Sequence, residues 1–123
     1  MKYKISPYTR YEKHLAEKNL TTLAKNKLIR ATEYLADNGY LHGMFRDHKI
    51  YLSKKLRQRY HTDTLYEFHL EGNLLVIYFT DEEKKIVYLV DIGSHKSVLL
   101  KESYDPNLSP STPNSPTRIK LFE

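Results

Sequence analysis

The chain contains no cysteine and only four glycines among 123 residues. Without cysteine, disulfides and thiolate zinc sites are excluded, and nothing points to an oxidising compartment. The glycines are not clustered, so neither a glycine-rich phosphate loop nor a nucleophile elbow is present. That argues against a nucleotide-dependent enzyme and against an esterase. No apolar run approaches the roughly 18 residues that a membrane-spanning helix requires, and the N-terminal stretch "MKYKISPYTRYEKH" has no apolar signal core. The expectation is a soluble, cytoplasmic protein without a membrane partner. At 14.6 kDa it has room for one core and one domain.

The charge is present but unevenly placed. The net charge is +5, yet residues 1–60 carry 14 Lys/Arg against 5 Asp/Glu, whereas residues 61–103 carry 4 against 8. A basic first half is what a surface meeting a polyanion looks like; a lysine-rich solvated helical surface is the plainer alternative.

Periodicity gives the architecture. Lys2 to Ile5 alternates as a short strand would. Ser6-Pro7 reads as a helix start, with Ser as N-cap and Pro in the first turn. Tyr8, Tyr11 and Leu15 share a helical face. A second helix is expected from Thr21 to Asp37, with Leu20, Leu23, Ala24, Leu28, Ala31, Tyr34 and Leu35 in helical register and Asn38-Gly39 as its stop. The two should form a hairpin. Three strands, Leu65–Leu70, Leu74–Thr80 and Ile86–Asp91, follow with hairpin-length links and predict an antiparallel meander. The expected fold is α+β, a helical hairpin packed on a small antiparallel sheet. Residues 1–100 form the domain. Residues 101–123, rich in proline and serine, form a flexible tail.

Six histidines make metal binding worth weighing. The nearest pairs in sequence, His42/His48 and His61/His69, lack the helical zinc spacing and no HExxH occurs, so no metal site is expected. Acid–base use fits better, because imidazole titrates near neutrality. His69 near the end of one strand and His95 just past another come to the same sheet edge. His48 lies in a basic segment with Arg46, Lys49, Lys54, Lys55, Arg57 and Arg59. Acid–base histidines beside phosphate-binding cations suit RNA strand cleavage, in which the 2′-OH attacks its own phosphorus and only a base, an acid and charge stabilisation are needed. Tyr51, Tyr60 and Tyr66 near that segment are candidates for base stacking. Tyr8, Tyr11, Tyr34, Tyr78 and Tyr88 read as core or rim.

The succession of helical hairpin, "RDHK", "FHLEGNLLVIY" and "VDIGSHKSVL" resembles the RelE/ParE superfamily of toxins, most closely its YafQ-type branch, over residues 2–100. The resemblance implies a RelE-like fold and a toxin of a type II toxin–antitoxin module. Such toxins cleave mRNA in the ribosomal A site without a metal or other cofactor. It implies an antitoxin partner that covers the basic surface, and operator DNA bound only through the antitoxin complex. His48, His69 and His95 match three histidines of the YafQ-type active site. Asn73 and Leu74 stand where that branch commonly has Asp and Trp. Asp91 stands where it often has an arginine, and a carboxylate there would repel a phosphate; Lys96 or an arginine of segment 54–59 would have to supply the charge. Arg46, Lys49, Lys54, Lys55, Arg57 and Arg59 would bind rRNA or mRNA phosphates. The alternative is a non-cleaving relative, a gyrase inhibitor of ParE type or an RNA- or ribosome-binding protein.

Overall fold

The computed structural model describes residues 1–51, 54, 57, 58 and 64–94. His61, His95, Lys55, Arg59, Lys96, Tyr60 and the segment 101–123 lie outside the described residues. The chain order is β1 (Lys4–Pro7), α1 (Thr9–Ala16), α2 (Thr22–Asn38), a 3-10 turn (Met44–Arg46), β2 (His48–Tyr51), β3 (Thr64–Glu71), β4 (Leu74–Asp81) and β5 (Ile86–Ser94). The strands form one sheet ordered β1-β5-β4-β3-β2.

The expected α+β architecture is present, and the meander of β3, β4 and β5 lies where the apolar runs place it. Two features extend it. His48–Tyr51, which lacked a clean period, is a strand that pairs antiparallel with β3. At the other edge β1 runs parallel to β5, so the sheet is mixed rather than wholly antiparallel. Parallel neighbours need a long crossover, and here everything from α1 to β4 provides it.

This pairing also corrects the expected helix start. Ser6 and Pro7 belong to β1, opposite Tyr88 and Leu89, and α1 begins at Thr9 after an extended Tyr8. Proline has no N–H to give a ladder and is tolerated on an edge strand. The Tyr8 amide donates to the Leu89 carbonyl at 2.8 Å and carries the pairing one residue further.

α2 follows the sequence pattern closely. Thr21 caps it, its hydroxyl accepting from the Ala24 amide at 3.1 Å. Gly39 ends it with φ +85°. There a Cβ would approach the Tyr3 ring to 2.5 Å, so both the backbone and the packing require glycine. α1 packs on β5, and α2 packs on β1 and β3. Ala24, Ala31, Leu35, Phe68, Leu70, Val76, Tyr78, Val87 and Ile92 fill the core, although Leu23 of α2 is 56% exposed. Tyr8 and Tyr11 are buried as expected. Tyr66 is not a free stacking platform: it lies over Tyr78 with centroids 5.3 Å apart and meets Tyr40 at its other side. No described helix is long and apolar enough to cross a membrane.

Candidate active site

Directly paired residues of neighbouring strands point to the same face. Register therefore aligns one row across four strands: His48 of β2, Glu67 of β3, Ile77 of β4 and Asp91 of β5. His69 follows Glu67 by two positions and shares that face. Two histidines from different strands thus become neighbours, with ring centroids 5.9 Å apart and nearly parallel.

Their hydrogen bonds separate their roles. His48 Nδ1 lies 2.9 Å from the Arg46 carbonyl, and its Nε2 lies 2.8 Å from Glu67 Oε1. A carbonyl only accepts, so Nδ1 must donate. A hydrogen must also lie between Nε2 and the carboxylate. The His48–Glu67 pair thus holds a proton available for transfer. His69 is set the other way. Arg46 Nη2 lies 2.9 Å from His69 Nδ1, and a guanidinium can only donate, so Nδ1 is the basic nitrogen of that ring. The two imidazoles are thus hydrogen-bonded in opposite senses, His48 through donated hydrogens and His69 Nδ1 as an acceptor.

The supports are rigid. Glu67 is 3% exposed, whereas the His48 side chain is open to solvent. Arg46 and His48 flank Asp47, which Tyr78 anchors: its hydroxyl donates to Asp47 Oδ1 at 2.6 Å and accepts from the Leu41 amide at 3.3 Å. Burial raises the Asp47 pKa from its ordinary value, partly offset by the Tyr78 hydrogen bond. Burial, then Asp47, pushes the Tyr78 phenol up, so it stays a donor. The loop leading in is strained: His42, Phe45 and Arg46 all have φ near +56°, conformations costing of order 1–3 kcal/mol each in non-glycine residues. Beside His69 opens a cleft of about 610 Å³, lined among others by Lys27, Phe45, Arg46, Glu71 and Asn73.

Of the residues expected from sequence, Arg46, His48, His69 and Asn73 come together at this cleft or its rim. Lys49 is exposed but paired with Tyr66, on the opposite face from His48. Lys54 and Arg57 are exposed. His95, Lys55, Arg59 and Lys96 lie outside the described residues; β5 ends at Ser94, opposite Leu74 and next to the turn that carries Asn73.

Asp91 requires a correction. It does not face incoming phosphate as an unshielded carboxylate. It is 5% exposed, bonded to His14 Nδ1 at 2.6 Å, with Arg10 Nε at 3.9 Å and its own neighbour's amide, Ile92 N, at 2.8 Å. α1 therefore supplies a guanidinium and an imidazole ring nitrogen that pair with it.

Sequence reading passed over Glu67 and Lys27. For Glu67 the signal existed: a carboxylate two positions before a histidine on an alternating strand must share its face. Glu67 also completes a group able to hold a metal. His48, Glu67 and His69 each present a ligand atom, all within 4.8 Å of one another. A search at helical spacings cannot find it, because the ligands come from adjacent strands.

Comparison with known proteins places this geometry. The family profile described as "Bacterial toxin of type II toxin-antitoxin system, YafQ" matches residues 3–100. No curated protein matches the chain in sequence. Among solved structures, the archaeal RelE–RelB complex from Pyrococcus horikoshii superposes with a TM-score of 0.58 at 18% identity, covering 76% of this chain and 96% of that one. A metal-bound toxin from Helicobacter pylori gives 0.56 at 22% identity, covering 79% and 99%. A copper-bound mutant toxin from the same organism gives 0.53 at 19% identity, again covering 79% and 99%. These neighbours share the RelE-like fold, and the chain belongs to the YafQ family of bacterial type II toxin–antitoxin toxins.

Proposed function

We propose that the protein is an endoribonuclease that cleaves mRNA on the ribosome and arrests translation until an antitoxin covers its active face. The observation carrying this reading is the opposed hydrogen bonding of two adjacent imidazoles, His48 set between a carbonyl and a carboxylate and His69 Nδ1 facing the Arg46 guanidinium. When a substrate phosphate enters, the Arg46 guanidinium turns from His69 to the phosphate oxygens, which bind it more strongly. His69 Nδ1, released, takes the 2′-OH proton. The 2′-oxygen attacks the adjacent phosphorus, and the bond to the 5′-oxygen breaks. The proton held between His48 and Glu67 passes to that leaving oxygen. The products are a 2′,3′-cyclic phosphate and a 5′-OH, with no water, metal or covalent enzyme intermediate needed. Arg46, with Lys27 at the cleft and the exposed Lys54 and Arg57, stabilises phosphate charge. His95 and Lys96, which follow Ser94 directly in sequence, are proposed to act in the same reaction. The antitoxin, the ribosome and operator DNA reached through the antitoxin complex are proposed partners in the same sense.

The test is primer extension on a reporter mRNA in a translating extract, with and without ribosome assembly. Cleavage should require translation, persist in EDTA, and fall about 100-fold or more in His48→Ala and His69→Ala, the scale of general acid–base loss. Translation arrest with intact mRNA, or full cleavage by both variants, overturns the reading. The non-cleaving alternative, favoured by the absence of an arginine at 91 and of an Asp at 73, predicts arrest without cleavage, and a plasmid supercoiling assay would detect its gyrase form.

A further inference from the structure

The His48–Glu67–His69 group carries more than proton transfer. Two imidazoles and a carboxylate are the donor set of borderline transition-metal dications; Mg²⁺ prefers all-oxygen octahedra. All three donors stand on paired strands, His48 directly opposite Glu67 and His69 two residues along, so the set is built on the rigid part of the fold. Ligand atoms within 4.8 Å of one another need to close by at most about 1.4 Å to reach the roughly 3.4 Å spacing of a tetrahedral sphere with bonds of about 2.0–2.2 Å.

Two details favour a cation there. His48 Nδ1 donates to the Arg46 carbonyl at 2.9 Å. A backbone carbonyl in that place is how ligating histidines are commonly oriented, with the other ring nitrogen aimed at the metal. That other nitrogen, Nε2, already faces Glu67 Oε1 at 2.8 Å across a proton, and a dication can replace the proton between the same two atoms. The exposed edge of His48 leaves room for water ligands. One group opposes binding: the Arg46 guanidinium, 2.9 Å from His69 Nδ1, adds a like charge beside the ion. The site is thus tuned toward reversible occupancy rather than permanent structural metal.

We propose that His48, Glu67 and His69 form a binding site for a transition-metal dication of the Zn²⁺ class, and that the bound ion inhibits the toxin by occupying its acid–base groups. The binding half stands on geometry alone; the inhibition half rests on the nuclease reading above.

Titrating the full chain with Zn²⁺ in a non-chelating buffer, by calorimetry and by histidine-ring NMR, tests the binding. One equivalent should bind, perturbing the His48 and His69 rings, with Mg²⁺ leaving them unmoved. Affinity should fall about 10-fold or more in His48→Gln and His69→Gln, and rise in Arg46→Gln, which removes the opposing charge. The Arg46→Gln arm adds affinity rather than removing it, so misfolding cannot imitate success. Absent binding, or binding unchanged in both histidine variants, overturns the proposal. For the inhibition half, cleavage should fall as the site fills and return on chelation. Full cleavage at saturating Zn²⁺ overturns that half, whereas Zn²⁺ binding as described in a protein that never cleaves RNA leaves the site standing and refutes the nuclease reading instead.

Discussion

Tyr78→Phe removes one oxygen atom and should disturb both stability and the site. The residue is fully buried, and phenylalanine fills its volume. What is lost is the hydroxyl's pair of bonds, to Asp47 Oδ1 at 2.6 Å and from the Leu41 amide at 3.3 Å. A hydrogen bond to a charged group is worth about 1.5–3 kcal/mol, and leaving a buried amide without its acceptor costs about 1–3 kcal/mol. The Leu41 bond is long, so its share sits at the low end. The sum is about 3 kcal/mol. At about 4–8 °C per kcal/mol for a domain of this size, the midpoint should drop by roughly 12–24 °C. Urea denaturation should show the same loss in the transition midpoint with an unchanged slope. Asp47→Asn combined with Tyr78→Phe should show a coupling of about 1–2 kcal/mol, since the two groups act through one bond. Asp47 lies between Arg46 and His48, so cleavage should also fall although Tyr78 touches no substrate. A loss below about 1 kcal/mol, or full additivity in the double mutant, would refute the claim that Tyr78 holds this loop.

Asp91→Arg should not raise activity. It replaces the partner of His14 by a second guanidinium beside Arg10 in a nearly closed site, and should cost about 3–5 kcal/mol by chemical denaturation; an active, stable variant would return Asp91 to the substrate face. Acid stability should depend in part on Glu82, whose pKa is lowered by its bonds from Lys85 and from the Tyr3 hydroxyl. A depressed carboxylate contributes above its unfolded pKa and loses that contribution as pH falls through the folded value. Wild type should therefore lose stability more steeply than Glu82→Gln in the acid range, and parallel pH–stability curves would contradict the assignment.

The legible parts of this sequence were those whose cause is local. α2 is written in its Leu/Ala spacing, its Thr21 cap and Gly39. The meander is written in "LLVIYF" and "IVYLV". What stayed hidden depends on distant partners. β2 is four residues with polar members and exists because β3 offers it an edge. Ser6-Pro7 has a good helix-start pattern, overridden by pairing with Tyr88 and Leu89. The site divides in the same way. His48 and His69 stood out in the sequence from their setting, and their meeting follows from strand register. Glu67 was passed over in "YEFHLE", although its place two residues before His69 on an alternating strand puts both on one face. Asp91 was read as an obstacle because only the docking of α1, with Arg10 and His14, turns its charge inward.

The parallel pair at the sheet edge also bears on timing. Arg10 reaches a carbonyl 80 residues away at Val90, and among the described strands β1 pairs with β5. Contacts of such separation form late and slowly. A nascent chain can therefore make α2 and the β3–β4 hairpin while still emerging, yet it cannot seat β1 or dock α1 until Ile86–Ser94 is free. Asp91, His14 and the edge of the active face are completed together at that point. The growing chain therefore lacks its finished sheet until β5 is free, and any partner that reads this face meets it complete only from that moment.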